Sequence, residues 1–265
     1  MNVKPEHIDE IKIFTPLLKI KIKSNDKKSI YCKNIALKLG ENTISVRSYK
    51  RDKIVDEEVI KVYVRAEIYS EYKFPPKAYK QNFFHNSSNE KQCTKCHNMS
   101  LNEMKGIAFL DVKESNCYQC HSNITNEKYA HAPAVNWLCT SCHNGKVGSD
   151  NKKNDGLSKY IAPEPVNITC FRCHKTNLKL WNTYKYKHEP LDSGRCNKCH
   201  NPHASPYKMF IRKPVNSICL GCHKDKHIKA SDFSNTKCKV NDKNMNCIEC
   251  HSPHASSKRF FLKDK

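Results

Sequence analysis

The sequence predicts a small all-β domain over residues 1–72, a linker over 73–84, and a region of short helices with little regular structure over 85–265. Three observations carry this division. Apolar and charged residues alternate with period two before residue 73. A single cysteine precedes that point and fifteen follow it. Beyond it, Cys-x-x-Cys-His recurs seven times.

The first part is read from its alternation. IDEIKIF, LLKIKIK, TISVRSY and VIKVYVRAE each place apolar residues at every second position, as strands do when one face packs and the other meets water. Some five strands fit in this length. The following stretch SEYKFPPKAYKQNFF reads as a linker, because Pro75-Pro76 holds the backbone extended.

The second part is read from its cysteines. The pairs are Cys93 and Cys96, Cys117 and Cys120, Cys139 and Cys142, Cys170 and Cys173, Cys196 and Cys199, Cys219 and Cys222, and Cys247 and Cys250. Behind them stand His97, His121, His143, His174, His200, His223 and His251. Two thiols at this spacing reach both vinyl groups of one porphyrin, and the next histidine lies under the iron as proximal ligand. Zinc knuckles also use Cys-x-x-Cys, but they do not require a histidine behind every pair. With 14 histidines in 265 residues, seven such coincidences have a chance on the order of one in a billion. The expected cofactor is therefore haem c, seven per chain. About 24 residues per haem are too few to wrap each porphyrin and also build an apolar core, so the haems themselves are expected to be the core.

The haem region repeats. His85, His131 and His188 each stand eight residues before the first cysteine of a motif, and a second motif follows each. His200-Asn-Pro-His203-Ala-Ser and His251-Ser-Pro-His254-Ala-Ser share a further pattern. His227 precedes the last motif across the polar insert KASDFSNTKCKVNDKNMN. The segment from His188 through Cys222-His223 resembles the doubled-CxxCH module of bacterial multihaem cytochromes, closely over 188–254 and loosely over 85–254. LKLGENTISVRSYKRDKIVDEEVIKVYVRAE resembles the final strands of bacterial immunoglobulin-like modules, which implies a sandwich, here short of its usual strand number.

Outside the motifs, His85, His131, His188, His203, His227 and His254 recur relative to motifs and are the candidate distal ligands. The resemblance supports His188, His203 and His254 most directly. His7 lies in the β-rich part without repeat context and reads as an ordinary histidine. Six distal candidates for seven irons leave one short. Met99 leads a set that also includes Met104, Met209 and Met245; a lysine, His7, a neighbouring copy or an open iron are the other solutions. The irons of His121 and His174 have the least obvious partners. Cys32 and Cys238, outside all motifs, read as separate thiols.

The formal charge is +21, but two propionates per haem bring about −14, leaving about +7 with ferrous irons. No aromatic-interleaved basic module for nucleic acid is present, so the lysine excess reads as neutralising propionates and steering acidic redox partners. Covalent haem and many cysteines point to a periplasmic or cell-surface location. The sequence opens without an export signal, which is expected upstream, and contains no apolar run of membrane-spanning length. The expected function is electron transfer between redox partners, without enzymatic turnover and with self-association open. The alternative is reduction of a small substrate, of the nitrite or hydroxylamine type, at one open haem.

Overall fold

The computed structural model describes residues 8–24, 31, 33, 35–65, 72, 74–80, 84–102, 109–144, 146–147, 152–153, 159–223 and 246–263. His7, Cys32, Met104, His227, Cys238 and Met245 lie outside the described residues. The chain divides into two compact units, Met1–Gln81 and Asn82–Lys265.

The first unit holds one antiparallel sheet of four strands. They are β1 (Glu10–Phe14), β2 (Lys19–Lys23), β3 (Gly40–Lys50) and β4 (Lys53–Val64), in the order β2-β1-β3-β4. All four alternating segments are strands. In β2 the period-two pattern emerges as alternating exposure, with Ile20 and Ile22 half-buried opposite Ile13 and Ile11. β4 departs from it. As an edge strand it leaves Ile54 and Val59 exposed on the face of Tyr49 and Ser45, Ile60 exposed on the face of Ile44 and Val55 exposed at a bulge, and Asp56, Glu57, Glu58 and Lys61 among them discourage pairing with another edge. An immunoglobulin-like sandwich needs a second sheet, and none is present among the described residues of this unit.

The β3–β4 turn places Arg51 and Asp52 in the left-handed region, the requirement of a two-residue hairpin, without the glycine that usually meets it. The Asp9 carboxylate accepts the Arg51 N–H and offsets part of that strain. Entry into β3 is held by Asn42, only 1% exposed. Its Oδ1 accepts the Lys38 N–H at 2.9 Å, and its Nδ2 donates to Lys38 and Gly40 carbonyls at 2.8 and 2.9 Å. That is the structural content of the Gly-x-Asn pattern. Tyr79 packs in the same unit, its ring 5.5 Å from Tyr63 and its hydroxyl donating to Glu41.

The second unit is built from helices of one or two turns and from paired strands of two residues. Its longest helix is Lys175–Thr183. The described apolar residues buried in this unit are Trp137, Ala204 and Ala255. So little buried hydrocarbon cannot by itself offset the entropy of ordering this length of chain.

Local structure explains the eight-residue interval between leading histidine and cysteine. His131 precedes the one-turn helix Ala132–Val135, and His188 precedes Glu189–Asp192, each with proline in its first turn. Each helix ends on a left-handed residue two positions before the cysteine, Trp137 (φ 56°) and Gly194 (φ 72°). Leu138 N–H then bonds the Pro133 carbonyl and Arg195 N–H the Pro190 carbonyl, a closing pattern of helix C-termini. At Trp137 burial to 2% exposure and an edge contact with Tyr118 offset the strain that glycine avoids at the other site.

Two outcomes are expected. Asn42→Ala should cost about 1–3 kcal/mol, read as lost hydrogen-exchange protection in β3 and β4. Gly194→Ala should lower thermal stability by about 1–3 kcal/mol, because the new Cβ is strained in φ and falls 2.5 Å from the Asn167 side chain.

Candidate haem-binding site

Iron takes up an imidazole only through a nitrogen with a free lone pair, so the other nitrogen must carry the proton. Five motif or leading histidines meet this condition through backbone carbonyls, which can only accept. His131 Nδ1 donates to Pro202 O at 2.9 Å and His188 Nδ1 to Pro253 O at 2.9 Å. His143, His200 and His251 donate to the carbonyls of Tyr160, Met209 and Phe260 at 2.8, 2.8 and 2.7 Å. In each of the five neutral rings the proton then sits on Nδ1, and Nε2 keeps its lone pair.

The three carbonyls that receive motif histidines share a backbone state. Tyr160, Met209 and Phe260 lie at φ 57°, 57° and 58°, a left-handed conformation costly for non-glycine residues. Met209 is 75% exposed, and what it contributes here is its carbonyl. No composition or periodicity signal marks these residues; only their recurring distance after a motif could have suggested them.

The imidazoles meet in twos. Ring centres lie 5.9 Å apart for His85 with His121, His143 with His203, His188 with His223 and His200 with His254, and 6.2 Å apart for His131 with His174. Two imidazoles facing across one iron, each at about 2 Å, would stand about 6 Å apart centre to centre. Every pair joins one motif histidine to one histidine from outside the motifs, and none joins two of a kind. In four of the five pairs the rings are within 23° of parallel; His85 and His121 are tilted by 43°. Among the described residues no three His, Cys, Asp or Glu groups converge as a tetrahedral metal site requires. The donor set fits haem.

The pairing has a register. Each leading histidine faces the second motif of its own unit: His85 with His121, His131 with His174, His188 with His223. The histidine three places behind a later motif faces the first motif of the unit before: His203 with His143, His254 with His200. His121 and His174, where partners were least obvious in the sequence, thus both have one. His97 and His251 stand outside these five pairs, and His227, the remaining distal candidate, is outside the described residues.

Short ladders hold the units in this register. β5 (Tyr129–Ala130) pairs with β9 (Ala204–Ser205), and β8 (Tyr186–Lys187) with β10 (Ala255–Ser256). Adjoining them, His131 N–H donates to His203 O and His188 N–H to His254 O, both at 2.8 Å. The Ala-Ser that follows His203 and His254 is buried. Ser205 and Ser256 each donate to a carbonyl (Ile211, Leu262) and accept an N–H (Tyr207, Lys258).

Burial disfavours the charged form of four of these imidazoles: it lowers the pKa of His121, His188 and His203, and with His200 and His188 alongside it takes His254 down to about 4. Trp181 stacks on His254 with centres 4.5 Å apart.

The motif cysteines differ by their place in the motif. The first thiols, Cys93, Cys117, Cys139, Cys170, Cys196, Cys219 and Cys247, are all half-buried. Of the second thiols, Cys96, Cys120, Cys173 and Cys222 are exposed, whereas Cys142 and Cys199 are half-buried. The difference is local, since each motif occupies a single turn and presents its two sulfurs to different surroundings. None of these thirteen cysteines is in a disulfide, and a thiol is the state from which a thioether forms. Cys250 is disulfide-bonded, a bond that must be reduced before this sulfur could form a thioether. The thiols of successive motifs also meet. Cys170 hydrogen-bonds Cys196, lowering Cys196 to about 7 while raising itself, and burial lifts Cys219, beside Cys247, to about 11.

Residues 188–228 match the family described as the doubled CXXCH motif. The motifs, the imidazole pairs and this match mark the chain as a multihaem c-type cytochrome. Over 174 residues it is 26% identical to the multiheme cytochrome MtrA of Shewanella baltica (strain OS185), a likeness covering 62% of this chain and 46% of that protein. The chain thus spans less than half the length of this curated relative. Among the described residues no helix is long and apolar enough to cross a membrane.

Proposed function

We propose that this chain is an electron-transfer cytochrome acting outside the cytoplasm, with one haem c on each of its seven motifs. The porphyrins would be held by thioethers, from Cys93 and Cys96 in the first motif, Cys117 and Cys120 in the second, Cys139 and Cys142 in the third and Cys170 and Cys173 in the fourth. Cys196 and Cys199, Cys219 and Cys222, and Cys247 and Cys250 would hold the last three. The seven motif histidines would be the proximal ligands. His203 and His254 would ligate across units, His85, His131 and His188 within them, and His227 remains the sixth distal candidate. The observation that carries this reading is the set of five imidazole pairs at 5.9–6.2 Å, each of one motif and one non-motif histidine.

Bound haem supplies a one-electron ferric/ferrous couple. At the five imidazole pairs the polypeptide would saturate the iron from both sides and exclude substrate from it, and it sets successive attachment sites side by side, as the contact between Cys170 and Cys196 illustrates. The lysine-rich surface suits acidic redox proteins as partners, and further copies of the chain are compatible with it.

A second reading attaches to one iron. The register would supply the His97 iron from the position three residues behind His143, and that position holds Lys146 where the later units hold His203 and His254. We infer that the His97 haem is the one that departs from ligation by two chain histidines of this set, and the locus at which a small substrate of the nitrite or hydroxylamine type would be reduced.

A pyridine haemochrome assay should count seven haems, and EPR should show them mainly low-spin. His203→Ala should turn one haem high-spin and open it to carbon monoxide. Mainly high-spin, ligand-accessible haem in the unmodified holoprotein would defeat the electron-transfer reading, and absence of turnover with reduced dye would remove the second.

A further inference from the structure

The three leading histidines are not treated alike. His131 and His188 donate Nδ1–H to carbonyls of the next unit, Pro202 and Pro253. His85 instead lies against a carboxylate, with Nδ1 3.1 Å from Glu90 Oε1. Glu90 is 4% exposed, on the helix Ser87–Cys93 that leads into the first motif. Its other oxygen accepts from the Lys159 ammonium at 2.5 Å. Lys159 also donates its backbone N–H to the His85 carbonyl, and the Tyr160 ring closes edge-on over the imidazole at 5.3 Å. The equivalent positions five residues behind His131 and His188 are Asn136 and Ser193, so the carboxylate is particular to the first unit.

A nearly buried carboxylate on one nitrogen of an imidazole pulls its proton and makes the other nitrogen a stronger donor. A stronger donor favours ferric over ferrous iron, and the effect of a charge grows where water is excluded. A neutral carbonyl does the same far more weakly. Lys159 balances the net charge of the pair, but it sits on the far oxygen and leaves the Nδ1 contact intact.

We propose that Glu90 is a redox-tuning residue: its contact with His85 lowers the reduction potential of the haem held between His85 and His121 below those of the haems whose leading histidine bonds a carbonyl. The sevenfold array is then uneven, with a low-potential position at the second motif. This rests on the ligation reading given above for His85.

The test is a potentiometric titration of the full-length holoprotein followed by EPR. Glu90→Gln keeps the shape and removes the charge. It should raise the potential of one low-spin haem by about 59 mV, a tenfold gain in its ferrous form, with the other haems unmoved and the haem count unchanged. His85→Ala should convert that same signal to high-spin. If His85→Ala leaves every haem low-spin, the ligation reading is wrong. If it removes one signal while Glu90→Gln moves none, ligation stands and the tuning role is overturned. A purely packing role for Glu90 would leave all potentials where they were.

Discussion

An imidazole can give iron one lone pair only while its other nitrogen is held to a proton, and the arrangement of the second unit follows from that requirement. Each ring needs an acceptor at Nδ1 and open space at Nε2. Backbone carbonyls are the most readily available acceptors a chain has, since every residue brings one. Tyr160, Met209 and Phe260 turn theirs toward a motif histidine by adopting left-handed backbone, a local strain that persists only because neighbouring bonds hold it. Pro202 and Pro253 serve His131 and His188, and since proline lacks an N–H its carbonyl is its only backbone hydrogen-bonding group.

The same requirement explains why such short ladders suffice. A two-residue pairing such as β5 with β9 contributes little stability by itself. Here it sets the separation between units at the residues where the paired imidazoles leave the backbone, through the bond from His131 N–H to the His203 carbonyl. Buried Ala204 and Ala255 let the backbones approach, and Ser205 and Ser256 satisfy the polar groups that the close approach would otherwise strand. The polypeptide thereby becomes a frame for paired imidazoles, with little apolar core among its described residues.

The first unit was readable to a large extent because period two is a local property. All four alternating segments are strands, and Asn42 holds the entry into the third of them. What the pattern did not carry was exposure: β4 alternates in sequence yet is open on both faces, because an edge position is a matter of neighbours. Exposure was hidden in the motifs too, where Cys96, Cys120 and Cys173 are open while Cys142, at the same place in its motif, is half-buried. In the second unit the interval of eight residues was visible, but its cause was not. It is a one-turn helix closed by a left-handed residue, glycine in one copy and buried tryptophan in another. The bond between His85 and Glu90 was equally hidden, since a glutamate five residues behind a histidine is unremarkable until the helix folds it back.

By itself the sequence determined the chemical class of the chain and the histidines available to it. The Cys-x-x-Cys-His signature lies within five consecutive residues, so spacing alone states it, and repetition singles out the histidines outside the motifs. Which imidazole faces which was decided only by the tertiary structure. His143 and His203 are 60 residues apart, and His121 finds its partner in a histidine 36 residues earlier rather than in its own neighbourhood. Those distances are closed by ladders, turns and strained carbonyls whose energies lie in contacts between units. A one-dimensional pattern can count imidazoles; it takes the packed chain to set two of them about 6 Å apart with their bare nitrogens available.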